Sequence, residues 1–360
     1  MKLRCKLIAG SDVEHLHQIY AGFAMLHRAG EIELMQVVTD EALQNKGMEG
    51  RWNDYRFFNT TVVVNETLRL TYDTHDWAWI DPEILKTSDL YFKRSYRRED
   101  VAKLDGGGKV HPLGLNMQVN DSARDTFRLQ RSKMYGGADR VKTILKALRF
   151  DTLIGSPEVE RLDNFESEPQ PDLEPRVLYM TRVWDPKNIE SKKQSGAVEA
   201  MNEPRAESVR RLRKELGPRF FGGLSRDEYS LKYFPDALIE DGSLSQKRAY
   251  LNKLREFPIC VATVGLNGSN GWKLAEYVAG SKAIITEPLV FEVTGKFLSG
   301  ENYLAFESPD QLVAAAARLI DDHQLREPMM KNNRKYFLQH ARPDAIVRNS
   351  LKVASALLAS

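Results

Sequence analysis

Short apolar runs with polar neighbours alternate with stretches of helical apolar spacing through the first third of the chain, the pattern of an α/β layer. "LRCKLIAG" reads as a strand. The next stretch, "SDVEHLHQIYAGFAMLHRAG", opens on a Ser11 or Asp12 cap, repeats its apolar residues at helical spacing and stops before Gly30, so a helix is expected. "IELMQVV", "TTVVVNETLRLTYDT", "SDLYFKRSY" and "KVHPLGLNM" follow as strands. Between 151 and 175 the periodicity disappears. "SPEVERLDNFESEPQPDLEPR" has four prolines and many acids, the composition of a linker, which puts a boundary between Glu168 and Glu174. The alternation then resumes. "RVLYMTRVW" is a strand, "EPRAESVRRLRKELG" a helix stopped by Gly217, "RFFGGL" a strand and "SQKRAYLNKLREF" a helix. "PICVATVGL", "KAIITEPL" and "NYLAFES" are further strands before the long helix "PDQLVAAAARLIDD". Each half is expected to form its own doubly wound layer, over 1–170 and 171–340, with 341–360 as a closing helix.

At 360 residues the chain exceeds what one core supports, in agreement with two domains and a cleft between them. With 52 basic and 50 acidic side chains the formal charge is +2. That balance gives no global field for nucleic acid or an anionic membrane, so any basic site must be local. The two cysteines, Cys5 and Cys260, sit in separate apolar stretches and lack zinc spacing; both read as reduced core residues. The start "MKLRCKLIAGSD" lacks the features of a secretory leader, and no run of about 20 apolar residues appears. A cytoplasmic location is expected.

The chemistry concentrates in "VGLNGSNGWKLAEYVAGSKAIITEPL". Gly265, Gly268 and Gly271 lie between a strand's end and a helix. In an open α/β sheet ligands bind at that end, and the unpaired N–H groups of the helix start favour an anion. The spacing matches neither the dinucleotide glycine fingerprint nor a Walker loop, and a plain turn explains it as well. On the following helix Lys273, Glu276 and Tyr277 share a face. The lysine suits a diphosphate and the glutamate a ribose diol, although a surface Lys–Glu pair fits the same spacing. "TYDTHDWAW" places Asp73, His75 and Asp76 at a strand's end, where a base could act or a capped turn form. "TRVWDPK" sets Arg182 and Lys187 just beyond another strand.

"ICVATVGLNGSNGWKLAEYVAGSKAIITEPL", "SGENYLAFESPDQL" and "MMKNNRKYFLQHARPDAIVRNSL" resemble the C-terminal half of bacterial glycosyltransferases of the GT-B fold, particularly the group with the spore-maturation CgeB-like proteins. The resemblance covers about Arg176 to Leu351. It implies two Rossmann-like α/β domains facing each other across a cleft, with the last helix crossing back to the N-terminal domain. Gly268, Ser269, Asn270 and Gly271 would contact the diphosphate of a nucleotide-sugar donor. Lys273, Arg182 and Lys187 would supply charge, Glu276 the ribose contact and Glu287 a further donor-side group. Many retaining members carry a glutamate eight residues before the ribose-binding one; here that position is Gly268, which leaves the stereochemistry undecided.

The resulting expectation is a glycosyltransferase that moves a sugar from a nucleotide diphosphate to a hydroxyl on a carbohydrate or glycolipid acceptor. It would need no cofactor and no metal ion, with His75 or Asp76 as base. Nucleic acid is not expected as a partner. For the amphipathic closing segment, dimerisation or peripheral membrane association is the alternative to packing on the first domain. A nucleotide-sugar epimerase and a non-catalytic sugar- or nucleotide-binding module are the rival readings.

Overall fold

The computed structural model describes residues 2–9, 14–38, 58–120, 160–188 and 192–359. The chain forms two compact units. Unit 1 comprises Met1–Asn164, Phe291–Gly295 and Leu338–Ser360, and unit 2 comprises Phe165–Val290 and Lys296–Phe337. The passage from the first to the second therefore falls at Asn164, and a five-residue excursion returns the chain to unit 1 just after Val290.

Unit 1 is built on a six-stranded sheet in the order β2-β1-β3-β4-β5-β6. The strands are β1 (Leu3–Ala9), β2 (Ile32–Val38), β3 (Asn59–Val64), β4 (Leu68–Asp73), β5 (Leu90–Lys93) and β6 (Val110–Pro112). All run parallel except β3, which is antiparallel to both β1 and β4. The single strand expected over "TTVVVNETLRLTYDT" is thus a hairpin, β3 to β4. The physical reason is Asn65 and Glu66, both in the left-handed region (φ 50 and 64), which reverse the chain in a tight turn. Helix α1 (His17–Arg28) packs beside the sheet; the Ser11 or Asp12 cap lies outside the described residues.

The closing helix belongs to unit 1. Helix α7 (Pro343–Ala359) lies against α1, and Gly22 permits the approach, since a Cβ there would sit 2.2 Å from the Pro343 carbonyl oxygen. Ile346, Val347, Leu351 and Ala354 join Ile19, Phe23, Leu70 and Tyr72 in one core. Arg348 forks onto Glu31 at 2.8 and 2.9 Å. Deep in the contact the Tyr72 hydroxyl meets Ser350 Oγ at 2.5 Å, and Ser350 Oγ donates to the Val347 carbonyl. Ser350→Ala leaves a fully buried phenol without that acceptor and is expected to destabilise the protein by about 1–3 kcal/mol in urea unfolding.

Unit 2 holds a five-stranded, wholly parallel sheet in the order β11-β10-β9-β7-β8. Its strands are β7 (Val177–Thr181), β8 (Phe220–Leu224), β9 (Ile259–Ala262), β10 (Ala283–Thr286) and β11 (Tyr303–Ala305). Every residue of β7, β9 and β10 is buried, which is why these strands read as continuous apolar runs. Val177, Tyr179, Ile259, Val261, Ala283 and Ile285 pack with α2 (Lys192–Leu216) and α5 (Pro309–Asp321). The remaining longer helices of the unit are α3 (Lys247–Leu254), α4 (Trp272–Ala279) and α6 (His323–Tyr336). Helix α2 begins eleven residues before the Glu203 start read from sequence, because Pro204 is accommodated inside it rather than marking its first turn.

Candidate functional site

Numbered from its own first strand, unit 2's sheet has the order 2-1-3-4-5, so chain progression reverses between β7 and β9. Loops leaving the carboxyl ends of the two strands at such a reversal part to opposite sides and leave a crevice, the usual ligand position in open α/β sheets. Here those loops begin at Arg182 and Thr263. Side chains brace them from below. Thr181 and Thr263 hydroxyls lie 3.3 Å apart. Arg205 on α2 donates to the carbonyls of both Arg182 (2.8 Å) and Val264 (2.7 Å), tying one loop to the other. Asn202 holds both backbone polar groups of Trp184. Above this frame the exposed Arg182 guanidinium stacks 3.7 Å from the Trp184 ring centroid.

The glycine turn follows directly. Val264 N–H donates to Glu287 Oε2 at 2.7 Å, so Glu287, one residue past β10, fixes the turn's first residue. Gly265 N–H donates to the Ser269 carbonyl at 2.7 Å, and Asn267 and Gly268 are both left-handed (φ 60 and 73). Ser269 and Asn270 are buried. Gly271 is the N-cap of α4 and offers no side chain to the first-turn amides. A Cβ on Gly271 would lie 2.9 Å from the Thr263 carbonyl oxygen, so the turn passes close to the strand end.

Helix α4 carries the charges. Its Lys273, Glu276 and Tyr277 do not form the solvated face that the spacing allowed: Lys273 is half-buried, and the other two are fully buried. Glu276 is ion-paired through Oε1 with Lys247, the first residue of α3. Lys273 Nζ sits 3.9 Å from the Tyr250 ring centroid, with Lys247 Nζ 5.4 Å from the same ring. Burial pulls the Lys273 pKa down to about 8; Glu276 opposes the shift, while Lys247 and Arg182 add to it. Burial raises the Glu276 pKa, but Lys247 and Lys273 together outweigh it and hold the carboxyl below its ordinary value. The outcome is a carboxylate attended by two lysines, with the Arg182 guanidinium near enough to depress one of them. Such a site is short of negative charge.

Unit 1 assembles a second polar group at the carboxyl ends of β4 and β5. Asp73 is fully buried; its Oδ2 accepts from Lys93 Nζ at 2.8 Å and from Tyr91 Oη at 2.7 Å, and its Oδ1 from His75 N–H at 2.9 Å. The capped turn and a buried ion pair are therefore the same structure. His75 Nδ1 accepts from Trp77 N–H at 3.1 Å, which assigns the ring proton of neutral His75 to Nε2. Burial lowers the His75 pKa to about 4. Asp76 Oδ1 meets Arg94 at 2.5 Å, and its Oδ2 lies 4.0 Å from His15 Nε2. Burial, with Arg94 adding to it, lowers the His15 pKa to about 3.

Of the residues selected from sequence, Arg182, Gly268, Ser269, Asn270, Gly271, Lys273, Glu276 and Glu287 share the carboxyl edge of unit 2 or the helix beyond it. Lys187 is exposed on a short turn past Arg182, where its N–H donates to Asp185 Oδ1. His75 and Asp76 belong to unit 1. Sequence reading missed Lys247, Tyr250 and His15. The first two lie more than twenty residues before the helix they meet, and only His15's place shortly after a strand gave any signal. Among the described residues no cluster of three His, Cys, Asp or Glu could hold a metal ion, and no helix is long and apolar enough to cross a membrane.

No protein-family model and no curated protein sequence matches the chain. Solved structures similar to it include the C-terminal domain of a group 1 family glycosyl transferase from Francisella tularensis, 15% identical, covering 49% of this chain and 95% of that one at a TM-score of 0.34. Sucrose-phosphate synthase from Thermosynechococcus elongatus is 13% identical over 94% of this chain and 71% of that one, at 0.40. A UDP-GlcNAc 2-epimerase from Neisseria meningitidis, solved bound to UDP-GlcNAc, is 14% identical over 77% and 63%, at 0.37. Neither the fold nor the activity of this chain rests on likenesses this slight.

Proposed function

We propose that the chain transfers a glycosyl group from a nucleoside-diphosphate donor, bound by unit 2, to a hydroxyl acceptor. The observation that supports this reading is the reversal between β7 and β9, beyond which α4 starts at Gly271 without a side-chain cap and Arg182 lies close enough to Lys273 to lower its pKa. Diphosphate is the ligand chemistry that answers both the amides and the cations. Arg182 and Lys273 would neutralise the charge that grows on the diphosphate as its bond to the anomeric carbon breaks. The electron pair leaves with the diphosphate, and the acceptor oxygen forms the new bond. Glu276 is held by Lys247, so a ribose diol reaches it only by sharing or displacing that ammonium. Of the two residues chosen from sequence as base, His75 is the poorer, because its Nδ1 already accepts and its Nε2 carries the proton.

Calorimetric titration with UDP, GDP and dTDP tests the reading. One of the three is expected to bind saturably, and only the protonated form of Lys273 should bind well. A bound phosphate raises the lysine's pKa above about 8. With the terminal phosphate of the nucleotide fully ionised, above about pH 7, affinity should therefore stay level up to about pH 8 and fall as pH rises through it, by up to about tenfold per unit. Binding without turnover in any acceptor mixture points to a non-catalytic module, and conversion of donor without acceptor to an epimerase. No binding of any of the three nucleotides overturns the proposal.

A further inference from the structure

Two imidazoles close on one phenyl ring at the carboxyl edge of unit 1. Phe58, just before β3, meets the His15 ring edge-on at 5.1 Å and the His75 ring edge-on at 4.7 Å, and His75 in turn meets the Trp77 ring at 5.0 Å. His15, Phe58 and His75 are all buried. Their backbones are held as well. Thr74 donates to the Phe58 carbonyl through both its N–H and its hydroxyl, the His15 carbonyl accepts from Asn116 Nδ2, and the His75 carbonyl from Ser95 Oγ. The stack thus joins three segments distant in sequence: the turn before α1, the residue before β3 and the turn after β4.

His75 has no place for a second ring proton. Its Nδ1 accepts from Trp77 N–H, and once protonated it would be a donor, leaving two N–H groups to face each other across 3.1 Å. Burial is the largest influence on both imidazoles and holds them far below the ordinary value, at about 3 for His15 and about 4 for His75. The neighbouring charges do not reverse it. His75 faces Asp73 and Asp76 but also Lys93 and Arg94, and Asp73 already pairs with Lys93. His15 faces Asp76 but also Arg94, His75 and His17, and Asp76 already pairs with Arg94. Unit 2, by contrast, has one histidine, His323, whose side chain is half exposed.

We propose that the His15–Phe58–His75 stack is an acid-sensitive latch, which keeps the carboxyl edge of unit 1 closed while both imidazoles are neutral and opens when they take protons. In the open state the rings regain their ordinary pKa, near about 6.5. Both closed-state values lie below that, so the latch's contribution is complete above about pH 6.5 and is lost as pH falls toward about 4. With two groups titrating together, the balance between closed and open shifts by up to about a hundredfold per pH unit. Neither the latch nor its pH window depends on the transferase reading.

The test is hydrogen exchange of the Trp77 amide in the full chain, scaled to free-chain exchange at the same pH, for the parent and for the double variant His15→Gln with His75→Asn. The new side chains are uncharged and similar in reach, and the amide oxygen at position 75 still offers Trp77 N–H an acceptor. In the parent, protection is expected to fall about 30- to 100-fold between pH 6 and pH 5, and in the double variant by no more than about threefold. Equal falls in the two proteins overturn the proposal, as does a parent whose protection does not change. Imidazole nitrogen NMR of the unsubstituted protein serves if the variant fails to fold. His15 and His75 should give the signals of neutral rings at pH 5.5, where a solvated histidine is about nine-tenths protonated. Imidazolium signals from either residue at that pH, with the Trp77 amide still protected, overturn it.

Discussion

Asp73→Ala should cost the protein about 3–5 kcal/mol of stability, the largest effect expected of any single substitution considered. The reason is the group left behind. Lys93 is completely buried, and burial already pulls its pKa down against the opposing charge of Asp73. Without the carboxylate, the ammonium must either stay charged in an apolar surround or release its proton, and both are costly. Tyr91 Oη and His75 N–H lose their acceptor as well. The change should appear in urea unfolding as a lower midpoint with an unaltered slope. A double variant, Asp73→Ala with Lys93→Met, should recover much of the loss, since two apolar side chains replace a desolvated pair. An unchanged midpoint in the single variant would mean that the pair is solvated in a way its burial does not indicate.

Lys273→Met should weaken nucleoside-diphosphate binding by about 10- to 100-fold, the value of one charge-assisted phosphate contact of roughly 1.5–3 kcal/mol. Methionine keeps an apolar stem near the Tyr250 ring, and Glu276 keeps its direct ion pair with Lys247, so folding should be preserved. Arg182→Ala should have a similar effect, because its guanidinium stands on the opposite loop of the strand reversal. The two losses should not add fully if both cations meet the same phosphate. Titration of the parent, both single variants and the double variant checks this. Equal affinities throughout would show that neither cation touches the ligand.

Much of the architecture could be read from local pattern. Strands buried on both faces announce themselves as apolar runs such as "ICVA", and Gly30 and Gly217, both left-handed, lie just past the ends of the first two long helices. The return of the last helix to unit 1 was legible only through the family resemblance. What stayed hidden depends on contacts distant in sequence. The Asn65–Glu66 reversal lacks the glycine that normally signals a hairpin. Nothing local tells that residues Phe291–Gly295 rejoin unit 1, where Glu292 meets the Tyr96 carbonyl and Arg98. The glycine turn and Lys273 were legible because a strand, a turn and a helix start are contiguous. Glu276 was legible as a residue but not as a buried partner of Lys247, 29 positions away. His75 looked like a base until its hydrogen bond to Trp77 fixed which nitrogen carries the proton.

The strand reversal in unit 2 is proposed to receive a diphosphate. The most direct test is a crystal structure of the protein with whichever of UDP, GDP or dTDP binds in solution. Density for the diphosphate is expected at the start of the helix that follows Gly271, within contact of the Arg182 and Lys273 side chains. A nucleotide bound elsewhere, with that turn and both cations untouched, would contradict it.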